Sequence, residues 1–253
     1  MDGTSARAGG AAAYGALVLT MTHSATQMPK DFIAERTDRI LITGSNGFIG
    51  TKVVEILLEY GFSNLRCFVR PSSRLDRLNR VIAKFSAEKL VELVPGDLVS
   101  REDCARAAEG VSVVYHLAAG FDKSFAGAFM NSALSTRNLT EAFLERGRPK
   151  RFVNVSSFAV YSNMSLKRGA PLDEESPLED APQERYDAYG FGKLKQEEVI
   201  RSYGRSHGLP FVVLRPGAVF GPGKKDLTGR IGVDTFGFFV HVGGSNQLPL
   251  SLR

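Results

Sequence analysis

Tyr189 and Lys193 stand four residues apart in the run Tyr189-Gly190-Phe191-Gly192-Lys193. On a helix that spacing puts both side chains on one face. A phenol is a poor acid–base group at neutral pH, because its free pKa is about 10. A lysine ammonium held nearby favours the phenolate and lowers that value. A tyrosine tuned in this way can pass a proton to or from a substrate oxygen. Ser157, at the end of a strand-like run, offers a hydroxyl that can donate a hydrogen bond to the same oxygen. A tyrosine–lysine pair is also a common helix-surface feature, so its meaning depends on its surroundings. Tyr186 is no substitute, since the residue four positions on is Gly190.

The surroundings are set by Arg39-Ile40-Leu41-Ile42-Thr43-Gly44-Ser45-Asn46-Gly47-Phe48-Ile49-Gly50. This reads as a buried strand, a glycine-rich turn and the start of a helix, the way an α/β domain builds a pyrophosphate site. Gly44 allows the tight turn, Gly47 lets backbone N–H groups approach phosphates, and Gly50 lets the helix pack closely on the strand. Ile49, Val53, Ile56, Leu57 and Tyr60 are expected on one face of that helix, with Gly61 as its stop. With a dinucleotide in place, the positive nicotinamide ring adds to Lys193 in favouring the Tyr189 phenolate, and the proton moves while hydride moves to or from the ring.

Further strands are expected at 65–69, 90–94, 111–117, 151–155 and 211–214, with helices between them, among them 134–145 and 189–204. Strands alternating with helices imply an α/β fold with a Rossmann-type, doubly wound parallel sheet. Ligands bind such sheets at the carboxyl ends of the strands, and the polar and glycine-rich stretches of this chain fall there.

The end of the second strand selects the cofactor. An acidic residue there binds both ribose hydroxyls of NAD, whereas an arginine accepts a 2′-phosphate. This chain has Arg70 there, followed by Ser72, Ser73 and Arg74. Two guanidinium groups and two hydroxyls make a phosphate clamp, so NADP is preferred and NAD is the alternative. The competing reading is a solvated cationic loop in which Arg70 stacks on the adenine. Asp97, after the third strand, can accept a hydrogen bond from the adenine amino group or simply shape the turn beside Gly96.

The 253 residues suffice for one large core or for one core and part of a second. The net charge of +5 is spread among acidic residues, which does not form a nucleic-acid footprint. Two cysteines, Cys67 and Cys104, lack metal-ligand or redox spacing and read as small buried apolar residues. No metal site is expected, nothing argues for an oxidising compartment, and the expected setting is cytoplasmic. No apolar run is long enough to span a bilayer. Residues 1–38 are small and polar, with a short apolar stretch at 11–21 that lacks the basic start of a secretory signal. They read as a disordered or non-native leader ahead of a true start at Met21 or Met28.

Six short motifs, in order, make the chain resemble the extended short-chain dehydrogenases/reductases, the type that includes NAD(P)-dependent sugar epimerases, dehydratases and reductases. They are the glycine turn, Gly96-Asp97-Leu98, His116-Leu117-Ala118-Ala119, Val155-Ser156-Ser157-Phe158-Ala159-Val160-Tyr161, Tyr189 with Lys193, and Leu214-Arg215-Pro216-Gly217-Ala218-Val219-Phe220-Gly221-Pro222. The resemblance implies Tyr189 as acid/base, Lys193 as its tuner and ribose anchor, and Ser157 as the substrate-polarising serine. It also implies that Gly44 to Gly50, Leu98 and Leu117 to Ala119 hold the cofactor and that Pro216 and Val219 line the nicotinamide pocket. A homodimer through a helix pair is common in the family, without a signature in this sequence.

Two departures stand out. The family often has an asparagine four residues before a threonine; aligned on Thr136 that position is Ser132, with Asn131 beside it, which speaks against a water-holding role for Asn131. The chain also looks truncated, with 39–222 forming the cofactor domain and 223–253 only an incomplete substrate-binding lobe. An uncovered apolar face at Phe236, Phe238 and Phe239 would then pack on the missing part. The 4,6-dehydratases of the family carry an Asp-Glu pair after the active-site hydroxyl, where this chain has Phe158-Ala159, so dehydration is not expected. The expected reaction is hydride exchange with a secondary alcohol or ketone, a nucleotide sugar being a reasonable substrate and a steroid-like or flavonoid-like alcohol an alternative. A recycling NAD-dependent epimerase and a non-catalytic sensor or inactive fragment are the competing readings.

Overall fold

The computed structural model describes residues 32–120, 123–162, 172–184, 187–222, 232–235, 238–241 and 250–252. Six strands form one parallel sheet: β1 (Arg39–Thr43), β2 (Leu65–Val69), β3 (Val91–Pro95), β4 (Val111–His116), β5 (Arg151–Val155) and β6 (Phe211–Leu214), in the order β3-β2-β1-β4-β5-β6. The order reverses between β1 and β4, which opens a crevice at their carboxyl ends. Helices α1 (Phe48–Glu59), α2 (Asp76–Lys84), α3 (Arg101–Ala108), α4 (Phe125–Ala128), α5 (Ser135–Arg146) and α6 (Ala188–His207) connect the strands.

The inner strands β2, β1, β4 and β5 are buried on both faces because each face is covered, while the edge strands β3 and β6 are partly exposed. On β1, Ile40 and Ile42 join Val54, Leu57, Leu65 and Leu78 in one core layer. Leu41 points the other way, among Val114, Leu139, Phe143, Phe152 and Ile200. Each such side chain contributes about 1.5–3 kcal/mol by leaving water. Cys67 and Cys104 sit in these two layers, both fully buried, and burial pushes both thiols up to about 12.

Three expectations need correction. The buried face of α1 is Gly50, Thr51, Val54, Leu57 and Leu58, while Ile56 is 37 % exposed. The buried face lies one residue out of phase with the expected stripe, because the side that packs is fixed by Gly50 against the turn. Helix α6 runs past Gly204 to a left-handed cap at Gly208; Gly204 lies in the helix because the Phe211 ring packs against it. Residues 32–38, placed in the leader, belong to the folded body: Phe32 packs on Tyr60 and Phe62, and Asp38 pairs with Lys150 at 2.7 Å. The rest of the expected leader, Tyr186, Phe236 and residues 242–249 lie outside the described residues.

Beyond β6, short strands β7 (Ala218–Phe220), β8 (Gly232–Thr235), β9 (Phe238–His241) and β10 (Leu250–Leu252) form two pairs, β7 parallel to β10 and β8 antiparallel to β9.

Candidate active site

The crevice between β1 and β4 opens into a cleft of about 830 Å³. Its floor is the turn after β1. Gly44 has φ of +68°, and a Cβ there would lie 2.9 Å from the Ala118 backbone nitrogen. A Cβ on Gly50 would lie 2.1 Å from the Gly44 carbonyl oxygen. Both positions therefore hold the turn and α1 closer than any other residue allows. Gly47 precedes helix α1 as its N-cap, with no side-chain hydrogen bond there and no acid in the first turn. The helix dipole therefore favours an anion at this end with no side-chain carboxylate or hydroxyl competing for it. The donor set and the glycine cradle fit a pyrophosphate.

The cleft is lined by seventeen of the eighteen expected site residues, including Asn46, Phe48, Ile49, Arg70, Asp97, Leu98, Leu117, Ala119, Pro216 and Val219. Ser45 is the exception: it is fully buried, and its carbonyl accepts a hydrogen bond from Thr51 Oγ1. Asp97 is held in its turn, Oδ1 accepting from the Val99 N–H at 3.0 Å, and it also lines the cleft. At the end of β2, Arg70 is exposed and Ser73 lines the cleft. A turn closes between them, with the Ser73 N–H donating to the Arg70 carbonyl.

Ser157, Tyr189 and Lys193 line the same cleft. Ser157 caps a 3₁₀ turn over Phe158–Val160, its Oγ accepting from the Ala159 N–H at 3.2 Å. That fixes the oxygen and leaves the hydroxyl hydrogen to donate. Asp187 caps α6 by accepting from the Gly190 N–H at 2.9 Å, which places Tyr189 and Lys193 in its first turns. Lys193 is 2 % exposed, and burial brings its pKa down to about 8, against a smaller upward pull from Glu197.

Sequence reasoning missed three contributors. Asn131 lines the cleft and Ser132 does not. The chain forms a π-helical turn over Phe129–Leu134, so one extra residue per turn rotates Asn131 onto the face that a regular α-helix gives to Ser132. No sequence signal marks this turn. Phe158 also lines the cleft. Glu197 is 1 % exposed and receives Arg215 Nε at 2.9 Å and Nη2 at 2.7 Å. Arg201 adds a weaker contact to the same carboxylate at 3.3 Å, and no local sequence pattern pairs Glu197 with Arg215, eighteen residues on.

A Rossmann sheet with a glycine cradle at its switch point, and a serine, tyrosine and lysine at the same cleft, defines a dinucleotide-binding protein of the short-chain dehydrogenase/reductase type. The chain belongs to the NAD dependent epimerase/dehydratase family, whose profile matches residues 40–232. It is 30 % identical over 198 residues to an uncharacterized UDP-glucose epimerase, YtcB, of Bacillus subtilis, covering 74 % of this chain and 58 % of that one. It is 27 % identical over 209 residues to a 3-beta-hydroxysteroid dehydrogenase of Mycolicibacterium neoaurum, covering 78 % and 52 %. Among solved structures it resembles DesIV, a dTDP-glucose 4,6-dehydratase of Streptomyces venezuelae with NAD and TYD bound, with a TM-score of 0.62, 27 % identity and coverage of 73 % and 57 %. The chain thus spans between about half and three-fifths of the length of these relatives.

Proposed function

We propose that this chain carries the cofactor-binding and catalytic part of an NAD(P)-dependent oxidoreductase acting on a secondary alcohol or ketone, with a nucleotide sugar as the favoured substrate class. The observation that carries this reading is the convergence of Ser157, Tyr189 and Lys193 on the cleft that holds the glycine cradle. A dinucleotide bound there would supply or accept the hydride. Ser157 donates a hydrogen bond to the substrate oxygen. Tyr189 gives that oxygen a proton during reduction and takes one during oxidation. Lys193 keeps the phenolate accessible by placing a positive charge in a site of low dielectric.

Arg70 at the end of β2, and Ser73 beside it in the cleft, support a preference for NADP. The family name and the relatives support NAD, and with it a transient-oxidation epimerase, as the second reading. Phe158 and Ala159 place no carboxylate pair after Ser157, which argues against 4,6-dehydration. Exposed Phe129 and Met130, side by side before α5, support a homodimer. The buried free thiols of Cys67 and Cys104 fit a cytoplasmic setting. No helix of the described residues is long and apolar enough to cross a membrane, and no group of three or more His, Cys, Asp or Glu among them could hold a metal.

The test is Tyr189→Phe, assayed for turnover and for dinucleotide binding. Loss of the hydroxyl alone should lower kcat by about 10²–10⁴ while the cofactor Kd changes less than about threefold. Turnover at the wild-type rate would sink the mechanism.

A further inference from the structure

The chemistry assigned to Tyr189 and Lys193 leaves one buried assembly unexplained. Lys193 Nζ donates to the Val155 carbonyl at 2.7 Å and to Gln196 Oε1 at 2.9 Å. Gln196 is fully buried, and its Nε2 donates to Thr136 Oγ1 at 3.0 Å. Thr136 Oγ1 meets His116 Nε2 at 2.9 Å, and His116 Nδ1 meets Thr43 Oγ1 at 2.8 Å. Thr43 Oγ1 also accepts the Ala118 backbone N–H at 3.2 Å. Side chains from α6, α5, β4 and β1 thus form a single file from the ammonium to the backbone of the cleft floor.

The file has a direction. An ammonium only donates, so Gln196 turns its oxygen to Lys193 and its NH₂ to Thr136. The two tautomers of His116 satisfy equal numbers of threonine hydroxyls: Nδ1–H lets Thr136 donate, and Nε2–H lets Thr43 donate. Charge decides between them. With Nδ1–H, Gln196, Thr136 and His116 each turn the negative end of their dipole toward Lys193. With Nε2–H, the imidazole turns its positive edge that way. In a dry interior the aligned arrangement is favoured, and successive bonds polarise one another.

We propose that Gln196, Thr136 and His116 are positioning residues for Lys193, a file of hydrogen bonds that runs one way from the ammonium to Thr43, holds the ammonium charged and aimed, and ends where Thr43 also accepts the Ala118 N–H at the floor of the cleft. The consequence for turnover rests on the catalytic reading of Lys193; the file itself does not. Val155 and Gln196 take two of the three ammonium hydrogens, which leaves one for the cleft. The titratable groups around Lys193 are Tyr189 and Glu197 on its own helix and His116 from β4; Glu197 is already matched by Arg215.

The test compares wild type, Thr136→Val and Thr136→Ser, first without cofactor. Nitrogen NMR of the His116 ring, assigned by its loss in His116→Gln, should show the Nδ1–H tautomer in wild type and Thr136→Ser. The Lys193 ammonium should titrate about 1 pH unit lower in Thr136→Val and be restored in Thr136→Ser. The Nε2–H tautomer in wild type, or a Lys193 midpoint unmoved in Thr136→Val, overturns the proposal. Should Thr136→Val not fold, the wild-type ring spectrum decides alone. With substrate, the alkaline limb of the kcat profile should follow the Lys193 midpoint in all three proteins. An absence of turnover in wild type would count against the catalytic reading and leave the spectra to judge the file.

Discussion

Arg215 and Glu197 close a two-pronged ion pair, Nε to Oε1 at 2.9 Å and Nη2 to Oε2 at 2.7 Å, between the segment after β6 and the middle of α6. The remaining guanidinium nitrogen donates to the Tyr161 hydroxyl at 3.0 Å, and the guanidinium lies 4.8 Å from the centre of the Tyr161 ring. Glu197 is one helical turn beyond Lys193, and Arg215 immediately precedes Pro216 in the cleft. The pair therefore fixes the helix that carries the tyrosine and lysine against the loop that brings Pro216 to the cleft.

Breaking this pair from one side leaves a buried carboxylate with the half-exposed Arg201, 3.3 Å away, as its remaining cationic partner. Arg215→Ala should lower stability by about 3–5 kcal/mol, read from urea unfolding. Burial alone would push the Glu197 carboxyl up, but hydrogen bonds from Arg215 hold it below its ordinary value. Its contribution is therefore present above the unfolded pKa of about 4.3 and lost as pH falls through the lower folded value. A loss below about 1 kcal/mol would show that the pair behaves as an exposed one.

Cofactor choice turns on Arg70. Charge-assisted hydrogen bonds to a phosphate contribute about 1.5–3 kcal/mol. Arg70→Asp should therefore weaken NADPH by about 10- to 100-fold and change NADH far less, in parallel binding titrations. Equal effects on the two dinucleotides would remove the argument for NADP.

The positions of the six sheet strands and the cleft-lining motifs were legible in the sequence because each rests on a local rule. Apolar runs of five or six residues cannot be exposed on both faces, and Gly44 and Gly50 sit where no Cβ fits. What escaped was set by contacts between distant elements. The phase of α1 depends on how Gly50 meets the Gly44 carbonyl, and the end of α6 depends on Phe211 packing against Gly204. The place of Asn131 depends on a π-helical turn whose extra residue no local pattern encodes. Gln196 reads in sequence as one more polar residue on a helix; its meaning comes from Thr136, sixty residues earlier.

Gly50 tests the cradle without touching the catalytic groups. A Cβ at 2.1 Å from a backbone oxygen cannot be relieved by a side-chain rotation. Gly50→Ala should force α1 away from the turn, lower stability by about 1–3 kcal/mol and weaken dinucleotide binding at least tenfold, measured by thermal shift and titration. Wild-type affinity in a folded Gly50→Ala protein would mean that the pyrophosphate is held elsewhere.

His116 gives the protein a specific acid sensitivity. It is fully buried, and burial, with Lys193 adding to it, brings its pKa down to about 3. Between that value and the unfolded pKa of about 6.5, the unfolded chain binds a proton that the native chain refuses. Stability therefore rises with pH through this window, is complete above it, and is lost progressively on acidification. From pH 7 to pH 5 this one residue should remove about 2 kcal/mol. His116→Gln should be less stable at pH 7, where a buried ring and its two threonine contacts are lost. Its stability should nevertheless fall less steeply with acid, by about one proton in the slope of unfolding free energy against pH. Parallel slopes for the two proteins would mean that the native state accepts the proton, and the dry, neutral imidazole between Thr43 and Thr136 would have to be abandoned.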